Sequence, residues 1–152
     1  MHVHGVLLGP DGKELFSQSN PGQVTLTGRK AIQKTLHNAI AITDTLAKDS
    51  AITEVADIPL RKILHVRNTL DQPVDISVFV YSRLGDTGTT YYGPSNINSG
   101  TTKTVAAGVN MILTETDSPA LNHPVQFMMV RAKCSVAPTT GSVSVWLEGV
   151  PN

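Results

Sequence analysis

From Arg61 onward, apolar and polar residues alternate with a period of two. In "VDISVFVY", Val74, Ile76, Val78 and Val80 share one face while Asp75, Ser77, Phe79 and Tyr81 share the other, as a strand with one buried face requires. "KILHVRN" precedes it from Lys62, and "TLDQP" between them supplies the Asp and Pro of a connection joining antiparallel neighbours. Further runs come after it: "TKTVA" from Thr102, "VNMILTE" from Val109, "VQFMMVRAKC" from Val125 and "SVSVWLE" from Ser142. Gly108, "TDSPALNHP" and "APTTG" separate them. Short strands at this spacing predict a mainly β protein, an antiparallel β-sandwich of jelly-roll or immunoglobulin-like kind. The 17 threonines favour strands with one solvated face.

The alternation also assigns faces. Met128, Val130, Ala132 and Cys134 point one way and Phe127, Met129, Arg131 and Lys133 the other, so the second face is apolar at one end and charged at the other. That split reads as a sandwich wall reaching solvent, or as an interface dry at one end and rimmed by charge. In the closing run Val143, Val145 and Leu147 form the buried face, leaving Trp146 as an anchor on the exposed side.

The first sixty residues are less regular. "GPDG" between "VHGVLL" and "KELF" predicts a hairpin or extended arm. "TGRKAIQKTLHNAI", from Thr27 to Ile40, predicts one short helix: Thr27 can cap it, and Ile32, Leu36 and Ile40 recur every four residues. The "AIAIT" immediately after it fits a strand equally well. Pro59 argues against a helix through "TEVADIP". The expected organisation is an arm, hairpin and helix over 1–60 and a sandwich core over 61–152, within one domain of 152 residues.

Charge changes the picture little but excludes much. Twelve acidic and twelve basic residues give a formal net charge of zero, without the basic footprint of a nucleic-acid binder. Neutrality leaves little repulsion between copies. A single cysteine, Cys134, rules out an intrachain disulfide and reads as a core residue. The N-terminus has no signal-peptide pattern, and no run approaches the roughly 20 apolar residues of a membrane span, so synthesis in a cytoplasm is expected.

Candidate chemistry is sparse. His2 and His4 would project from one face of a strand, but His37, His65 and His123 lie in separate elements and supply no closed ligand set; a solvated or interface-packed N-terminal strand is the simpler reading. No G-x-S-x-G elbow or activated cysteine context occurs. Arg29, Lys30 and Lys34 read as a solvated helix face. The irregular segment from Arg83 to Gly100 holds Tyr91 and Tyr92 among Gly, Ser, Thr and Asn. Those rings could contact a subunit, plug the end of the sandwich, or stack on a sugar. The sequence predicts no catalytic set, no metal and no cofactor, with contacts carried by His2, His4, Val6, Leu7, Tyr91, Tyr92 and Trp146.

"LHVRNTLDQPVDISVFV", the "TVAAG" turn and "VRAKCSVAPTTGSVSVWLEG" together resemble small β-sandwich virion proteins of tailed bacteriophages, found as head decoration, neck or tail components. The likeness covers roughly residues 60 to 150. It implies a non-enzymatic homo-oligomer that folds in the host bacterial cytoplasm and joins a virion beside major capsid or neighbouring neck or tail subunits. No nucleic acid or membrane is implied as partner, and the arm could add a strand to a neighbour's sheet edge. Similar strand patterns occur in carbohydrate-binding or receptor-binding sandwiches, where Tyr91, Tyr92 and Trp146 would stack on sugar rings and Asn96 and Asn98 would hydrogen-bond them.

Overall fold

The computed structural model describes residues 31–58, 61–83, 91–92 and 102–149. Ten strands lie within them: β1 (Ile32–Ile40), β2 (Lys48–Asp49), β3 (Thr53–Glu54), β4 (Ile63–Asn68), β5 (Val74–Arg83), β6 (Tyr91–Tyr92), β7 (Thr102–Val105), β8 (Asn110–Leu113), β9 (Phe127–Lys133) and β10 (Val143–Gly149). A 3-10 turn spans Pro119–Asn122.

The pairings are nested. β1 pairs with β10, β2 and β3 with β9, β4 with β8, and β5 with β7, all antiparallel. The described strands therefore form one long double ribbon, rolled so that successive pairs fall alternately in two sheets. Two further pairings close the sheets, β10 with β4 and β9 with β5. One sheet runs β1-β10-β4-β8; the other runs β2-β9-β5-β6, with β3 alongside β9 and β7 alongside β5. A double ribbon wound this way is a jelly roll, which decides between the two sandwich types that alternation allowed.

Between the sheets the inward residues interlock. Val74, Ile76, Val78 and Val80 of β5 meet Leu64 and Val66 of β4, Met128, Val130 and Ala132 of β9, and Val143, Val145 and Leu147 of β10. Cys134 is buried in the same core, and burial pushes its thiol pKa up, as expected of an inert interior thiol. Each large aliphatic buried here contributes about 1.5–3 kcal/mol.

The helix expected over 27–40 is a correction. From Ile32 the chain is strand β1, and Thr27 to Lys30 lie outside the described residues. The four-residue spacing of Ile32, Leu36 and Ile40 has another origin. Ile32, Lys34 and Leu36 alternate inward as in any strand, but Lys34 disguises the pattern by placing a cation at an inward position. Its Nζ escapes at the sandwich margin, donating to Glu54 O at 2.7 Å and pairing with Asp57 Oδ1 at 2.6 Å, so it is an edge tie rather than part of a solvated basic face. Register shifts between Thr35 and His37 and between His37 and Ile40 then break the period. Adjacent Leu36 and His37 are both buried as a result, and Ala39 takes a positive φ of 48°. The sandwich thus draws its first strands from well before Arg61.

Polar interior groups tie the layers. His37 of β1 crosses to the opposite sheet, its Nε2 lying 3.0 Å from Val130 O of β9. Asn68, fully buried, donates through Nδ2 to the carbonyls of Gln72, Val105 and Ala106, while Oδ1 accepts from Leu70 N–H. It locks the β4–β5 connection to the end of β7. Gly141 makes the turn before β10 at φ +93°, where a Cβ would lie 2.1 Å from Thr69 O, so no side chain fits there.

Candidate functional site

The outer face of the four-stranded sheet carries the site. Registers align Thr35 with Trp146, Trp146 with His65 and His65 with Ile112, so one row crosses all four strands. Each of these residues occupies the outward position that alternation gives it. The His65 and Trp146 rings stack with centroids 5.5 Å apart and an interplanar angle of 7°, the offset arrangement that aromatic quadrupoles favour. His65 Nε2 lies 3.2 Å from Glu148 Oε2. This contact falls outside hydrogen-bond geometry, so Nε2, sealed from solvent, has no hydrogen-bond partner among the described residues.

At the β8 end the row opens into a groove of about 320 Å³ lined by His65, Arg67, Asn110, Met111, Ile112 and Trp146. Ile112 is 54% exposed, and Val109 just before β8 is 38% exposed. A cleft with an apolar floor and a rim of Arg and Asn suits an aliphatic side chain of a protein partner or the apolar face of a sugar.

The other outer face differs. Tyr81 stands opposite Phe127 and Phe79 opposite Met129, yet Phe127 and Met129 are each only 6% exposed. The open apolar wall expected from "QFMMVRAKC" is therefore absent at these two positions. Farther along β9, Arg131 makes a bidentate pair with Asp49 at 2.6 and 2.8 Å and lies 4.9 Å over the Phe79 ring. That guanidinium holds the Asp49 carboxyl below its usual pKa, so the Arg131 charge is neutralised within the chain.

A second groove of about 320 Å³ lies between Arg61–Ile63 and Thr114–Thr116. Beneath it Lys62 is 1% exposed, its Nζ donating to His123 O at 2.8 Å. Burial lowers its pKa to about 8. Glu115 lines this groove, whereas Asp117 is drawn away into an ion pair with Lys103 at 2.7 Å.

Of the contact residues predicted from sequence, Trp146 sits on the outer face as expected. Tyr91 and Tyr92 form β6, paired with Arg83 and Ser82 at the end of β5. His2, His4, Val6, Leu7, Asn96 and Asn98 lie outside the described residues. His65 and Ile112 are the residues that sequence reasoning missed. The described histidines are dispersed: His37 between the sheets, His65 on the outer face, His123 capping the 3-10 turn. Among the described residues no group of three or more His, Cys, Asp or Glu is placed to hold a metal. No helix among them is long and apolar enough to cross a membrane.

No protein-family model and no curated protein matches the chain. Among solved structures it is similar to the PBSX exported protein XepA, at 13% identity and a TM-score of 0.49, over 100% of this chain and 50% of that one. It is also similar to a chain of infectious bursal disease virus, Gx strain, at 12% identity and a TM-score of 0.37, over 80% of this chain and 33% of the other. The chain thus spans half the length of XepA and a third of the viral chain.

Proposed function

We propose that this chain is a non-enzymatic structural protein of a bacteriophage virion, a head decoration component ahead of a neck or tail component. It is made and assembled in the bacterial cytoplasm and works by burying surface against major capsid or neighbouring neck or tail subunits. The observation that carries this reading is the row from Trp146 through His65 to Ile112, ending at an open apolar groove on a jelly roll. Jelly rolls serve capsids and lectins alike, so the sequence likeness to phage virion proteins supports the first use. Tyr91 and Tyr92 are proposed as additional contacts.

Purified particles from cells encoding the chain test the proposal. The chain should be present at a fixed stoichiometry, and the variant Ile112→Ser, at a position 54% exposed, should lower its incorporation several-fold while melting normally. A chain that stays entirely in the particle-free fraction overturns the reading.

A carbohydrate-binding module is the second reading, favoured by the stacked Trp146 ring beside Arg67 and Asn110. A glycan array with saturable binding abolished by W146A would select it instead.

A further inference from the structure

The four-stranded sheet has two edges, and they differ. β1 is blunted by two register shifts, the positive φ of Ala39 and the inward-facing Lys34, all devices that discourage pairing with another strand. β8 has none of them. Its register against β4 runs unbroken from Leu113 to Asn110. The stretch Val109 to Leu113 holds neither charge nor proline.

The backbone of β8 fixes which groups are available. Asn68 N–H donates to Val109 O at 3.1 Å, while Val109 N–H donates to Ala106 O, so the Val109 carbonyl and the peptide groups of Met111 and Leu113 face β4. By alternation, Asn110 and Ile112 direct theirs outward. Among the described residues no strand pairs with that side.

We propose that β8 pairs antiparallel with β8 of a second copy about a two-fold axis through Met111, continuing the sheet across the two copies. This rests on the structural assembly reading above and names its self-contact. Parity limits the register to pairings of outward-facing residues, and the number of hydrogen bonds closed chooses among them. A two-fold axis perpendicular to the sheet places outward-facing residues opposite one another, so Asn110 stands opposite Ile112 of the second copy and the reverse. This arrangement uses both N–H and both C=O groups that β8 leaves outward and closes four hydrogen bonds.

The side chains fit the same axis. Each Ile112 is laid beside Asn110 of the other copy, at the rim of that copy's groove, so one patch supplies both knob and hole, as a two-fold interface requires. Each exposed Val109 comes beside the other copy's Leu113. Charge does not oppose the contact. Strand β8 itself carries no charge, and the two Arg67 Cα atoms lie three strand spacings and two residues apart, about 16 Å. The formal net charge of the whole chain is zero. A contact of one short strand is small, so it is transient in solution and is reinforced where a symmetric particle holds many copies together.

Disulfide trapping of the full chain tests the axis. Across it, Met111 faces its own counterpart as a non-hydrogen-bonded pair with Cα atoms about 4.5 Å apart, within reach of a disulfide. The two Ile112 Cα atoms are about 8 Å apart, beyond that reach. M111C should therefore form an intermolecular disulfide under mild oxidation and I112C should not; native Cys134 is buried and stays unreacted. In sedimentation up to about 1 mM, the unmodified chain should show reversible dimerisation that I112K weakens at least tenfold without changing its melting. A chain monomeric throughout, with no M111C cross-link, overturns the proposal, as does cross-linking at Ile112 in place of Met111. Chain present in particles without the M111C cross-link removes the pairing alone. A cross-linked chain absent from particles removes the virion reading alone.

Discussion

On the six-stranded sheet, the outward residues Phe127 and Met129 are buried and Arg131 is tied to Asp49; on the four-stranded sheet, Ile112 and Trp146 face an open groove. Both faces come from the same alternating strands. Hydropathy along β9 reads as the stickier surface, with Phe127 and Met129 next to a charged rim, yet that apolar end is already covered. Stickiness at a surface is a matter of what remains open, which alternation alone does not specify.

Substitution breaks or upholds this contrast most directly. Phe127→Ala should cost about 3–5 kcal/mol, as loss of a buried aromatic does, whereas Ile112→Ser should stay within about 0.5 kcal/mol. Urea denaturation of both variants gives the comparison, and equal losses would show that the two faces are alike.

Inside the sandwich the contrast sharpens at Lys62, just ahead of β4. Its folded pKa of about 8 lies below the ordinary 10.5, so between those values the unfolded chain binds more protons and stability rises with pH. Below about pH 8 the penalty of burying the cation is fully present, worth roughly 3 kcal/mol. Lys62→Met should remove that rise. The difference between the two proteins over pH 8 to 10 isolates it from Cys134 and Tyr81, whose raised pKa values act in the opposite direction. Identical pH profiles would mean that Lys62 titrates as it does in water.

The smallest effect concerns His37. Burial lowers its pKa despite the favourable contact with Val130 O, so the unfolded chain protonates first as pH falls through 6.5 and native stability drops. His37→Leu should cost about 1 kcal/mol near neutrality through the lost hydrogen bond. It should also flatten the acid limb of thermal melting; an unchanged acid limb would place that proton elsewhere.

Most strands were legible because each obeys one local rule. Val74 to Val80, Met128 to Cys134 and Val143 to Leu147 face the core as their alternation requires. β1 was misread as a helix because Lys34 occupies an inward position and leaves at the margin, while two register shifts re-phase the strand beyond Thr35. Neither cause is local: the salt bridge needs Asp57, and the shifts are defined only against β10. Trp146 was legible as an outward residue for the same reason as the strands. Its partner His65 was not, because 81 residues separate them and only the β10–β4 register makes them neighbours.

The sequence by itself determined the strand composition, the inward and outward sense of β5, β9 and β10, and the electrical neutrality that lets copies approach. Tertiary structure alone decided the jelly-roll winding, the stacking of Trp146 on His65, the coverage of Phe127 and Met129, and the outer side of β8, with which no described strand pairs. The physical reason is range. Side-chain direction in a strand is set by the residue's own backbone, whereas register, coverage and edges depend on which distant segment lies alongside.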